Sequence, residues 1–239
     1  MKPRGHIGQA AGRLEELAAR YRLDARQRAQ LETILQALAA DQHAPTTVRD
    51  PAQAVDVHLA DSLVALEVDA LAGARTIADL GAGAGFPGLA LAVAMPGASV
   101  SLVESQARKC RFMEAVGAAA RLINARVVCA RAEEWAAGLG ANDAVLARAL
   151  APAPVVLEYA APLLRGGGAL VEWRGQRDPE GERTARKVAA VLGMEQVEIR
   201  RVAPHGHARE HHLHVYLKRG ETPSRFPRRA GVARKRPLG

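Results

Sequence analysis

The sequence predicts an α/β fold: a parallel sheet with helices on both faces, led by a helical segment and ended by an antiparallel hairpin. Three observations predict it. No strand-like pattern precedes residue 75. From there short apolar runs alternate with helical stretches, the signature of strands joined by crossover helices. Near the end two strand-like runs, residues 196–202 and 211–217, flank the turn-like Pro204-His205-Gly206.

Taken in order, Leu14, Leu17 and Tyr21 recur at helical spacing, as do Leu31, Ile34, Leu35 and Leu38, with Asp24 placed to cap the second helix. A third helix is expected from Asp50, its cap, and Pro51, its first residue, burying Val55, Leu59, Leu63 and Leu66. Strands are expected at residues 76–80, 99–103, 126–129, 144–147 and 169–173. Helices are expected at 88–95, 107–120, 155–164 and 180–192. Gly166, Gly167 and Gly168 are expected to turn the chain into the fifth strand, and Asp143 to mark entry into the fourth. The division that follows is a helical segment, 1–70, a sheet domain, 71–218, and a basic C-terminal segment, 219–239.

The 239 residues suffice for a core without staples. Aromatics make up only 3%, so that core must be mostly Ala, Val and Leu, and single-strand binding through stacking platforms is disfavoured. No apolar run reaches membrane-spanning length, and the first residues lack an apolar leader pattern, so no membrane partner and a cytoplasmic location are expected. Cys110 and Cys129 form no CxxC pair, which argues against a disulfide framework or structural zinc. Both are expected in the core. The formal net charge is +8. Residues 218–239 carry eight Lys and Arg against Glu221 alone, so +7 lies there on a nearly neutral body. Without an apolar period, this stretch is expected to be a loosely held arm and a localised footprint for phosphate.

The strongest local signal is Asp79-Leu80-Gly81-Ala82-Gly83-Ala84-Gly85-Phe86-Pro87-Gly88, between a strand and a helix. Gly81 and Gly83 let the backbone turn tightly and approach a ligand. Glu104 ends the next strand, where an acid reaches ribose hydroxyls in a nucleoside-binding unit. Gly83, Gly85 and Gly88 also satisfy GxGxxG, so a nicotinamide or flavin cofactor is a competing reading. Two features favour S-adenosylmethionine. Asp79 is placed to face the cofactor's ammonium group, and the reversed terminal strand is that of class I methyltransferases.

The ordered set Val48-Arg49-Asp50-Pro51, His58-Leu59-Ala60-Asp61-Ser62-Leu63, Asp79 to Gly88, Leu102-Val103-Glu104-Ser105, Lys109-Cys110-Arg111-Phe112, Ala130-Arg131-Ala132-Glu133, Ala147-Arg148-Ala149 and Phe226-Pro227-Arg228-Arg229-Ala230-Gly231 resembles the 16S ribosomal RNA guanine-N7 methyltransferase family, also called the glucose-inhibited division protein B family. The resemblance spans roughly residues 45–238; the first forty match poorly. It implies a class I, Rossmann-like methyltransferase using S-adenosylmethionine on 16S ribosomal RNA or the small ribosomal subunit. It implies cofactor contacts from Gly81, Gly83, Phe86, Glu104, Ala132, Glu133 and Arg148. RNA contacts are expected from Lys109, Arg111, Arg131, Arg228 and Arg229. No residue is assigned as a general base and no metal is expected, because the N7 lone pair is already exposed and positioning suffices. A class I methyltransferase acting on a small molecule or protein, and a non-catalytic RNA-binding module, are the competing readings.

His58, Asp61 and Ser62 also fit a hydrolase triad, but they sit within one helical turn, whereas triads assemble from separate segments. A polar cluster tying the helical segment to the sheet is the stronger reading. His205, His207, His211, His212 and His214 could hold a metal; solvated hairpin histidines are the stronger expectation.

Overall fold

The structure is a computed structural model that describes residues 4–206, 208 and 211–239, with the side chains of 4–7 not described. Helices α1 (Arg4–Arg20) and α2 (Ala25–Ala40) open the chain. Asp24 and Gln27 form a reciprocal capping box at the start of α2. Asp50 caps α3 (Pro51–Ala54), accepting from Gln53 N, with Pro51 at the first position.

The single helix expected from Asp50 is instead a composite. After α3 the chain runs through a π-helical stretch, Val55–Ala60, then α4 (Asp61–Leu63) and a 3-10 turn, Val64–Glu67. The Asp61 N–H reaches back five residues to the Asp56 carbonyl. Apolar spacing does not reveal such an insertion, because the stripe on either side stays in helical phase. Single π turns concentrate at functional sites, and this one carries His58.

Seven strands follow: β1 (Thr76–Leu80), β2 (Ser99–Glu104), β3 (Ala125–Cys129), β4 (Asn142–Arg148), β5 (Leu164–Arg174), β6 (Met194–Arg201) and β7 (His212–Lys218). They are interleaved with α5 (Gly88–Ala94), α6 (Ala107–Ala119), α7 (Ala153–Ala160) and α8 (Pro179–Val191). The order is β3-β2-β1-β4-β5-β7-β6. The first five strands pair in parallel, and β7 runs antiparallel between β5 and β6. Strand order reverses about β1, where ligands of open α/β sheets bind.

Two apolar layers cover the sheet. One joins α1, α2 and the composite helix to α5 and α6 over Ile77, Val100 and Leu102. The other joins α7 and α8 over Ala78, Val103 and Leu170, and it includes Phe226 and Ala233. The basic C-terminal segment is therefore seated, not loosely held. Phe226 is 8% exposed, Ala233 is 1% exposed, and Val232–Lys235 forms a short helix, α9.

Three smaller expectations also change. Gly166, Gly167 and Gly168 lie inside β5, at a register shift against β4 between Asn142 and Ala144. Gly167 has φ +78°, and a Cβ on Gly168 would meet two β4 carbonyl oxygens at 3.0 Å, so the glycines make a bulge and not a turn. Cys110 is buried, but Cys129 is exposed on β3, the sheet edge. His212 and His214 are buried, not solvated; His212 Nδ1 lies 2.9 Å from the Gly175 carbonyl. Burial lowers the His214 pKa to about 4, which keeps the ring neutral. His207 lies outside the described residues.

Candidate functional site

A cavity of about 630 Å³ opens at the C-terminal ends of the parallel strands, within the size range of small-ligand sites. Its wall comes from Gly81 after β1, Glu104 to Gln106 after β2, Ala130 to Glu134 after β3, and Ala149 and Leu150 after β4. Tyr159 of α7, Lys109 of α6 and Arg234 of α9 complete it.

The glycines are required by the backbone. Gly81 has φ +67°, and a Cβ there would come 2.5 Å from Leu150 Cδ1. Gly83 has φ +61° and donates its N–H to Glu104 Oε2 at 3.3 Å. Glu104 also accepts from Gln106 N at 2.9 Å and faces Lys109 Nζ at 3.8 Å. Its carboxylate is thus fixed at the cavity floor, where it can accept from ribose hydroxyls.

Of the residues the sequence points to, Gly81, Glu104, Ala132, Glu133, Lys109 and Arg131 line one cavity. Phe86 does not; it is buried behind the glycine loop and stacks on His58, ring centroids 4.7 Å apart. Arg148 also turns away. It donates to Asp61 Oδ2 at 2.8 Å and to the Val57 carbonyl at 3.0 Å. Asp61 further engages His211 Nδ1 at 3.0 Å, and its carbonyl accepts from Trp173 Nε1 at 2.7 Å. The polar cluster joins the helical segment to β4, β5 and the residue that precedes β7. His58 Nε2 pairs with Thr46 Oγ1 at 2.9 Å, while buried Nδ1 has no hydrogen-bond partner. Burial, reinforced by Arg148, lowers the His58 pKa to about 4, so it is a neutral ring near pH 7.

Asp79 departs from its expected place. It is 1% exposed and caps α5, accepting from Gly88 N at 2.8 Å. Burial pushes its pKa up to about 7, and it does not line the cavity. Arg111 and Arg229 are exposed outside the cavity. Arg228 forks onto Glu158 of α7, with Nε 2.7 Å from Oε1, and Glu158 is 1% exposed. That guanidinium is committed within the fold, which corrects its reading as an RNA contact. Arg234 and Tyr159 were not anticipated; no local pattern marks a tail arginine that folds back onto the sheet.

The family described as rRNA small subunit methyltransferase G matches residues 27–213, more than half of the chain. The chain belongs to this family. A ribosomal RNA small subunit methyltransferase G from Rubrobacter xylanophilus is 39% identical over 198 residues, 80% of this chain and 75% of the relative. One from Desulfitobacterium hafniense is 35% identical over 196 residues, 81% of each. Among solved structures, a 16S rRNA (adenine(1408)-N(1))-methyltransferase from Catenulisporales acidiphilia, in a mutant form with cosubstrate SAM, superposes with TM-score 0.52. It is 21% identical and covers 63% of this chain and 89% of that one. The antibiotic-resistance methyltransferase Kmr gives 0.53 at 20% identity, over 66% and 92%. At that identity these two carry the fold alone, and the fold is that of class I methyltransferases. The chain is a methyltransferase. Among the described residues no cluster of His, Cys, Asp or Glu could hold a metal ion, and no helix is long and apolar enough to cross a membrane.

Proposed function

We propose that this enzyme transfers a methyl group from S-adenosylmethionine to N7 of a guanine in 16S ribosomal RNA, acting on the small ribosomal subunit or its RNA in the cytoplasm. The observation that carries the reading is the cavity at the strand-order reversal, floored by the fixed Glu104, in a chain matched to the family over residues 27–213. The cavity fits the cofactor's chemistry. Glu104, held by the Gly83 N–H, supplies acceptors for ribose hydroxyls, Gly81 supplies bare backbone, and Ala132 and Glu133 supply main-chain groups for a base. When bound, S-adenosylmethionine supplies an electrophilic methyl on a sulfonium.

What remains for the protein is placement. The guanine N7 lone pair needs no deprotonation, so holding the reacting atoms in line can supply most of the acceleration. Lys109 and Arg131 stand at the rim, where a cation can take an RNA phosphate. Arg148 serves the reaction through its anchored position: with Asp61 and the Val57 carbonyl it fixes β4 against the π-helical turn. Phe86 acts in the same way, bracing the glycine loop on His58. The decisive experiment gives purified protein and S-adenosylmethionine to ribosomal RNA from a strain lacking the gene. Restored N7-methylguanine, mapped by borohydride reduction and aniline cleavage, is the expected result. Methylation of adenine or cytosine instead would refute the chemistry.

A further inference from the structure

The C-terminal segment, expected as an RNA arm, contributes one residue to the cavity wall. Arg234 lines the cavity together with Glu104 and Glu133. Its guanidinium donates to the Leu150 carbonyl at 3.0 Å. Leu150 in turn lies over the bare face of Gly81, in the space a Cβ would need. Its neighbour Ala149 has φ +52°, a left-handed conformation that a non-glycine residue holds only when its surroundings impose it. The tail is also pinned on the far side of the cavity, where Gly231 N donates to Glu133 Oε1 at 2.9 Å. Tyr159 of α7 lines the same cavity beside Glu133 and Arg234. Two hydrogen bonds, Gly231 N to Glu133 and Arg234 to the Leu150 carbonyl, thus fasten the segment that carries Arg234 to the loops after β3 and β4.

We propose that Arg234 is a cofactor-binding residue delivered by the C-terminal segment, and that this segment holds the loop after β4 in its cofactor-binding shape. The proposal rests on the cavity being the S-adenosylmethionine site. A planar guanidinium at its wall can hydrogen-bond or stack on the cofactor's base, while its bond to the Leu150 carbonyl keeps Leu150 against Gly81. The tail then belongs to the cofactor site, and the phosphate-binding role passes to the cations beside it, Arg229, Lys235 and Arg236, which are exposed.

The test is calorimetric titration of the full chain with S-adenosylmethionine. Wild type and Arg236→Ala should bind alike. Arg234→Ala should weaken binding by about tenfold, the size of one charge-assisted hydrogen bond. Equal affinity of Arg234→Ala and wild type overturns the proposal. A wild type that does not bind at all refutes the reading of the cavity instead. A second measurement needs no variant. Trypsin cleavage of wild type after Arg234 should slow when S-adenosylmethionine is saturating, relative to cleavage after the exposed Arg22. Unchanged relative cleavage also overturns the proposal.

Discussion

Gly81 concentrates the constraints of the site in one residue. Its φ of +67° costs any other residue backbone strain, and the Leu150 methyl occupies the space a side chain would need. Gly81→Ala should therefore leave the sheet intact but push Leu150 off the loop, weakening S-adenosylmethionine binding by about five- to thirtyfold, given roughly 1–2 kcal/mol of strain. Titration calorimetry checks this, and unchanged affinity would remove Gly81 from the site. Asp79 and Glu172 make a second prediction, one about pH. Burial raises both to about 7. A carboxyl whose folded pKa is raised favours the folded state while protonated, so this contribution is fully present below about pH 4 and is lost as pH rises through about 7. Asp143 and Glu182 are lowered, Asp143 by N–H groups and Arg165 against its burial, Glu182 by Arg177, and they work in the opposite direction. The difference between wild type and Asp79→Asn/Glu172→Gln isolates the first pair. In urea unfolding without cofactor, the variant should lose less stability than wild type between about pH 4 and 7. Parallel profiles would refute it.

Elements were legible where their signals are local. The capping box of α2 and the Asp50 cap follow from side chains three residues from their partners. The alternation of apolar runs with helices places every strand of the sheet. The π turn after α3 is hidden because the four-residue spacing of Val55, Leu59 and Leu63 fits an α turn and a wider π turn alike. The β5 glycines were misplaced because a bulge and a turn ask the same freedom of glycine; only pairing with β4 tells them apart. Arg228 was least legible of all. Its partner Glu158 stands 70 residues away, on α7. That pair makes the third prediction. Arg228→Met leaves a buried carboxylate without its cation and should cost roughly 3–5 kcal/mol in chemical denaturation. Arg228→Met/Glu158→Gln should recover much of the loss. If the double variant is no more stable than the single, Glu158 does not depend on that cation.

At the scale of the molecule, +8 is a sum over groups with different work to do. Of the eight basic residues in 218–239, buried Lys218 donates to the Ala161 carbonyl, Arg219 meets Glu195, Arg225 lies over the Phe226 ring, Arg228 meets Glu158 and Arg234 faces the cavity. Phosphate attraction then falls chiefly to Arg229, Lys235 and Arg236, with Lys109 and Arg131 at the rim. Deleting residues 219–239 is a poor probe of RNA binding, because it also removes Phe226 and Ala233 from the core. The informative variant replaces Arg229, Lys235 and Arg236 by glutamine. At roughly 0.7 per phosphate contact on single strands, the slope of log K for RNA against log salt should flatten by at most about 2. S-adenosylmethionine affinity should not move, since none of the three lines the cavity. An unchanged slope would mean these charges are only solvated and would leave RNA attraction to the rim. A flattened slope accompanied by weaker cofactor binding would mean that the two functions of the tail cannot be separated residue by residue.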